Sequence, residues 1–386
     1  MAKQNAPNRH RLAYAAAIGV ALIYGGLLLW FGLTGRWITD AAGAPRVWDF
    51  LPVYVAGRMA LRGQAAGAYD LEALHRAQSA FIGHDFPGFL GWHYPPLFLS
   101  VAALLALLPY TAAFLLWVIA TASGFAALLA RIAGGRAAWM GLALPPAMAC
   151  AMIGQNGFFT AALFAGFLLL LPSAPLAAGL LAAMLSYKPQ FGLLIPVALM
   201  AGGHWRAFTA AALGVAAWIG ACALIAPSAL AAFLHALPQT ARAVLDEGSA
   251  GWFKLASLFG LARSAGVGNE TAWLLQAIAT ALAALLVALV WRRRVDFAPK
   301  AALLAAASLL ATPYIYFYDL VILAVPLAFL WRQRSFDTVE QGLMAGVFFC
   351  MAGYALAGYP PGIFAILLTL AMTARRLGSR DAKAMP

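Results

Sequence analysis

Apolar runs long enough to cross a hydrocarbon core of roughly 30 Å recur along this chain from Ala13 to Met372. No other feature restricts the fold as much, because a backbone in lipid must satisfy its own hydrogen bonds as a helix or a closed barrel. The runs are continuous rather than alternating, which selects helices. Only 10% of the residues are charged and 64% are apolar, whereas a soluble domain has about a quarter of its residues charged. The expectation is an all-α polytopic membrane protein.

Counting apolar segments gives about twelve spans, near residues 14–33, 94–107, 111–131, 137–153, 158–171, 176–202, 207–225, 272–291, 301–312, 318–331, 343–357 and 363–373. The sixth is interrupted at Lys188-Pro189. A basic tail over residues 1–12 and the pairs Arg332/Arg334 and Arg375/Arg376 put both termini inside by the positive-inside rule. Arg131 and Arg136 then fall outside, against that rule. If the segment from Pro95 to Arg131 crosses only once, or Lys188-Pro189 divides two short spans, the middle third inverts. The chain reads as one domain, 1–386, with extracytoplasmic loops at 35–94 and 227–268 and a short disordered tail after Arg380.

The net charge of +12 comes mostly from basic residues in short loops between spans, so it sets orientation and does not mark a nucleic-acid surface. Cys150, Cys222 and Cys350 are odd in number, lie in apolar runs and lack metal-ligand spacing, so they read as small hydrophobes. No metal site is expected. Phosphate-binding glycine loops, dinucleotide fingerprints and nucleophile elbows are absent from the sequence, which leaves a soluble nucleotide-using enzyme unsupported.

In a chain this poor in acids, Asp49 is the first candidate. It precedes a helix expected over Phe50–Leu61, with Pro52 in the first turn and Gly63 past the end. A second helix is expected over Leu71–Ile82, with Leu71, Leu74, Gln78, Phe81 and Ile82 on one face. Both helices suit the bilayer surface. Capping is the simplest role for Asp49, yet Trp48, Phe50 and Tyr54 surround it with flat faces of the kind that meet a sugar ring. Tyr54 and Arg58 share a helix face one turn apart.

Lys188 is the second candidate, because a cation in mid-span costs roughly 2.5–3.5 kcal/mol on insertion scales and needs a partner. Pro189 breaks the helix beside it and frees carbonyls; a lipid phosphate is one suitable partner, and snorkelling to an interface is the plainer alternative. Gly154-Gln-Asn-Gly157 offers the Gln155 and Asn156 amides to hydroxyls or phosphate oxygens, or is a simple interhelical turn. His93 and Tyr94 precede Pro95 at the outer mouth of the second span. Thr312-Pro-Tyr-Ile-Tyr-Phe-Tyr-Asp319 reads as an interfacial aromatic belt, but Asp319 does not fit a belt and is expected to face a cavity.

Taken in order, Asp49, Tyr54-Val-Ala-Gly-Arg58, Tyr69-Asp70, Tyr94-Pro-Pro, Leu108-Pro-Tyr, Gly154-Gln-Asn-Gly157, Lys188-Pro-Gln190, Trp205-Arg206 and Tyr318-Asp319-Leu320 resemble glycosyltransferase family 87. These are GT-C fold membrane enzymes that include polyprenyl-phosphate-mannose-dependent mannosyltransferases. The resemblance implies transfer, on the extracytoplasmic face of a bacterial inner membrane, of a hexose or pentose from a polyprenyl-phosphate donor to a lipid or glycan acceptor, with inversion. It implies Asp49 as general base, Lys188 and Arg58 at the donor phosphate, and Tyr54, His93, Tyr94, Gln155, Asn156, Gln190, Tyr318 and Asp319 at the substrates. No cofactor or metal is implied. The mannosyltransferase branch carries histidines where this chain has Tyr318-Asp319, so mannose is only one candidate sugar. A lipid-linked saccharide flippase binds similar ligands without chemistry, although no internal repeat of the kind transporters use stands out. A scaffold subunit for envelope assembly is the third option.

Overall fold

The computed structural model describes residues 6–355 and 360–381 and is all-α, with two isolated β-bridges, Thr39 with Pro45 and Leu255 with Tyr316, among the described residues. Lys3 and the tail from residue 382 lie outside them. Four helices are long and apolar enough to cross a membrane: Tyr14–Leu33, Tyr110–Ala133, Trp205–Ile225 and Asn269–Arg292. A fifth crossing exists if Gly135–Leu142 and Pro145–Ile153, bent by 67° at their junction, form one span. Tyr14–Leu33 and Trp205–Ile225 bury none of their apolar windows inside the protein, and Leu22, Ile23, Leu224 and Ile225 stand exposed on them. Such continuous apolar surface needs lipid around it, and the protein is a multi-pass membrane protein.

The expectation of about twelve spans is thus met by four, or five, full-length crossings. Most of the other apolar segments form shorter helices of 10–17 residues, such as Pro96–Leu105 and Phe297–Leu310. The reason is local. Proline stands at the start of Pro145–Ile153, Pro175–Met184 and Pro189–Gly192, and a ring without an N–H starts a helix well but cannot continue one. Residues 176–202, read as one interrupted span, divide into Pro175–Met184, the turn Leu185–Tyr187, Pro189–Gly192 and Ile195–Ala201.

The two loop helices occur with the expected bounds, Phe50–Leu61 and Leu71–Ile82. The second is capped by Asp70, whose carboxylate accepts from Ala73 N at 2.8 Å, and stops at left-handed Gly83. Phe50–Leu61 does not lie on the bilayer surface as expected. It is buried within the protein from Phe50 to Gly57, with Arg58 as the one charge, in its last turn. A Cβ placed on Gly57 would come within 2.1 Å of the Ala102 carbonyl oxygen, so this helix and Pro96–Leu105 cross almost backbone to backbone.

The final helix, Gly362–Asp381, is locked to Thr338–Ala352 by Arg376. Its guanidinium donates to both Glu340 carboxylate oxygens, at 2.7 Å for Nη2 to Oε2, and to the Leu330 and Arg334 carbonyls at 3.1 and 3.2 Å. Arg376, expected as an orienting loop charge, is instead a buried member of this ion pair.

Candidate active site

Two tryptophans hold the chain that leads to Asp49. Trp48 Nε1 donates to the Trp37 carbonyl at 2.6 Å, and Trp37 Nε1 donates to Met152 O at 3.0 Å, at the end of the Pro145–Ile153 helix. Phe50 then packs edge-on against Phe114, with ring centres 5.1 Å apart. Asp49 itself has helical backbone angles, φ −62° and ψ −12°, and its side chain does not cap the helix. Its carboxylate is therefore free of the role that residue type alone favoured. Instead, Gln155 Nε2 donates to Asp49 Oδ2 at 2.9 Å across 106 residues of sequence.

That bond depends on the tightness of the Gly154–Gly157 turn. Gly154 is left-handed, φ 69°, and a Cβ there would lie 2.7 Å from Phe50 Cβ; at Gly157 a Cβ would lie 2.6 Å from Tyr318 O. The turn is clamped between the Asp49 helix and the Tyr318 segment. Gln155 Oε1 accepts from Asn156 N at 3.0 Å, which aims its amide donor at Asp49. Among the described residues neither polar atom of the buried Asn156 amide makes a hydrogen bond of good geometry, although the Tyr94 hydroxyl approaches the Asn156 and Gln155 amides and feels the charges of Asp319 and Asp49. Unpartnered buried amides of this kind are costly unless something binds them.

Lys188 ends the turn Leu185–Tyr187, where Pro189 stops the helix from running through. Its Nζ donates to Asp319 Oδ1 at 2.7 Å, with both side chains almost sealed from solvent, and lies 5.2 Å from the Tyr318 ring centre. Asp319 Oδ2 accepts from Tyr316 N at 3.1 Å, so both of its carboxylate oxygens are engaged. The partner that Lys188 required is thus supplied by the protein. Tyr187, beside it, shares a short hydrogen bond with Thr160, and its ring stacks 4.7 Å from Phe98.

Asp49, Tyr94, Gln155, Asn156, Lys188, Tyr318 and Asp319 come together in this cluster. Tyr54 and Arg58 face elsewhere: the Tyr54 hydroxyl donates to Leu108 O at 2.8 Å, and the Arg58 guanidinium sits 4.8 Å over the Phe81 ring. Phe50 and Tyr54 use their ring faces for packing. His93 is exposed, 3.4 Å from Thr240 Oγ1 of the second loop. Gln190 is half-buried on the turn after Lys188, with no side-chain hydrogen bond among the described residues. No three His, Cys, Asp or Glu side chains among the described residues are grouped to hold a metal ion.

Sequence reasoning missed Lys254 as a site residue. The second loop returns to the cluster by pairing Leu255 with Tyr316, and Ala256 N donates to Ile315 O at 2.7 Å. Lys254 is thereby brought within electrostatic range of Asp49. Its scarcity in the loop was the only sequence signal. Burial pushes the Asp49 carboxyl above its ordinary value, while the Gln155 amide, Lys254 and Lys188 pull it back. The carboxyl is thus held above the value of an ordinary aspartate.

Neither a curated protein nor a solved structure matches the chain. The family model for Glycosyltransferase family 87 does, over residues 92–313. That stretch includes Tyr94, Gln155, Asn156, Lys188 and Lys254, while Asp49 and Asp319 flank it on either side. Because it spans more than half of the sequence, the chain belongs to glycosyltransferase family 87 and is a helical membrane glycosyltransferase.

Proposed function

We propose that the enzyme transfers a hexose or pentose from a polyprenyl-phosphate donor to a lipid or glycan acceptor, with Asp49 as general base and inversion at the sugar carbon. The carrying observation is the Asp49 carboxylate: uncapped, oriented by Gln155 at 2.9 Å, and beside the Lys188–Asp319 pair. In this reaction the acceptor hydroxyl attacks the anomeric carbon, its proton passes to Asp49, and the bond to the lipid phosphate breaks. Lys188, its charge balanced by Asp319, offers its remaining N–H donors to a sugar or phosphate oxygen. The Asn156 amide and the Tyr94 hydroxyl suit sugar hydroxyls.

Two further observations support a lipid-linked donor. An apolar groove of about 490 Å³, lined by Leu193, Val197, Trp273, Ala277 and Pro313, opens a few residues beyond Lys188. Its dimensions suit a prenyl chain entering from the bilayer. The 35–94 and 227–268 loops also meet, through His93 with Thr240 and Tyr69 with Phe233, as two loops on one face of a membrane would. We assign that face to the exterior on the loop charges, and the membrane to a bacterial inner membrane on the family resemblance.

The test is sugar transfer by purified full-length enzyme supplied with labelled polyprenyl-phosphate sugars. Asp49→Asn and Asp49→Ala are expected to lower the rate by about 10²–10⁴-fold, the usual contribution of a general base. Wild-type rates in both variants would remove Asp49 from the chemistry. A chain that moves lipid-linked saccharide across vesicles yet never transfers sugar would be the flippase.

A further inference from the structure

Four charges surround the cluster, and they are not equivalent. Asp319 and Lys188 neutralise each other at 2.7 Å and are nearly sealed. Asp49 is committed to the acceptor proton. Lys254 is exposed, and among the described residues its ammonium has no ion pair or hydrogen bond; it lies 5.8 Å from the Phe253 ring centre.

Its backbone, by contrast, is fixed. Lys254 N donates to Gly251 O at 3.0 Å, Trp252 Nε1 donates to Leu245 O at 2.7 Å, and the Tyr354 hydroxyl donates to Phe253 O at 3.1 Å. The Arg263 guanidinium covers the Trp252 ring at 4.1 Å. The next residue, Leu255, bridges to Tyr316, whose N–H donates to Asp319. A rigid anchor therefore carries a four-carbon arm whose positive charge has no ion pair or hydrogen bond among the described residues, at the edge of the site. Such an arm suits phosphate, which lysine recognises as a point charge.

Resting on the reaction proposed above, we propose that Lys254 is the catalytic cation that receives the departing polyprenyl phosphate. In the transfer the acceptor oxygen forms its bond to the anomeric carbon as the bond from that carbon to the phosphate oxygen breaks. The electron pair stays with that oxygen, and the acceptor proton goes to Asp49. The lipid phosphate changes from a diester with one negative charge to a monoester with two. Lys188 is already paired, so the new charge needs a cation that is not, and stabilising charge where it develops accelerates the step.

Bilayer headgroups offer the same phosphate chemistry, and the experiment separates the two sources. Full-length wild type, Lys254→Gln and Lys254→Arg are placed in nanodiscs of phosphatidylcholine alone or with phosphatidylglycerol. Equilibrium binding of undecaprenyl phosphate is measured beside kcat/KM for sugar transfer. Lys254→Gln is expected to weaken undecaprenyl phosphate binding and to lower kcat/KM, each by roughly ten- to a hundredfold, equally in both lipids, and Lys254→Arg to restore most of the loss. Wild-type binding by Lys254→Gln, or a loss seen only with phosphatidylglycerol, overturns the proposal. If the wild type transfers no sugar from polyprenyl donors, the reaction itself is wrong, and the binding comparison still decides whether Lys254 holds the lipid phosphate.

Discussion

The Lys188–Asp319 pair can be tested by a double-mutant cycle. At 2.7 Å and an effective permittivity near 20, the attraction between the two charges is about 6 kcal/mol. Removing each ion from water costs several kcal/mol, so the intact pair adds little net stability. Breaking it is another matter, because the remaining charge stays buried. Lys188→Met and Asp319→Asn are each expected to destabilise the protein by about 3–5 kcal/mol. Asn at 319 can still accept from Tyr316 N, so the Lys188→Met/Asp319→Asn double variant should regain stability to within about 1–2 kcal/mol of wild type. The coupling is then several kcal/mol, far outside the additivity of independent sites. Denaturant unfolding of the purified protein in one detergent reads all four corners of the cycle. Losses that simply add would show that the two charges do not share one buried site, and the reasoning would fail. Sugar transfer gives a second readout: it should stay low in the stable double variant, because the N–H donors of Lys188 are gone.

Gly57→Ala should lower the unfolding temperature in a thermal-shift assay, since its Cβ would meet the Ala102 carbonyl oxygen at 2.1 Å and backbone cannot yield as a side chain can; an unchanged temperature would contradict the close crossing. The role proposed for Asp49 sets a pH dependence of transfer, because a general base must be a carboxylate: activity should be full above its pKa and lost as pH falls through it. Burial raises that pKa, so the acid limb should lie above that of an ordinary aspartate, near pH 3.9, and Gln155→Leu, which removes a stabilising donor, should move it higher still. Glu340→Gln should lower the unfolding free energy, because it removes the buried carboxylate that pairs with both Arg376 and Arg334; activity measured below the unfolding temperature should persist.

Much of the local structure was legible from residue type. Pro52 and Gly63 delimit the first loop helix at the expected place, because start and stop signals act through nearest neighbours, and the apolar face of Leu71–Ile82 marked the second, whose Asp70 cap and Gly83 stop the structure adds. The span count was not legible in the same way. Hydropathy registers apolar length, and it does not register that the chain bends by 67° between Leu142 and Pro145. The candidate site shows the same division. Asp49, Gln155, Lys188 and Asp319 each stood out as polar groups set in apolar surroundings, but their pairing did not. Asp49 meets Gln155 from 106 positions away and Lys188 meets Asp319 from 131. No periodicity spans such distances, and the carboxylate that balances Lys188 within the fold was not among the partners the sequence suggested for it. Tyr54 and Arg58 share a helix face as expected, but that face packs against Phe81 and the Leu108 turn.

The 131-residue separation of Lys188 and Asp319 also has a consequence for biosynthesis. Ribosomes add about 5–20 residues per second, so the lysine enters the translocon on the order of ten seconds before its counter-ion exists. During that interval the segment around Lys188-Pro189 holds an unmatched cation and cannot settle at its final depth. Assembly of this half of the protein must wait for the Tyr316–Asp319 turn to emerge. A nascent chain arrested before residue 319 should therefore remain accessible to membrane quality-control proteases, and one arrested shortly after it should become resistant.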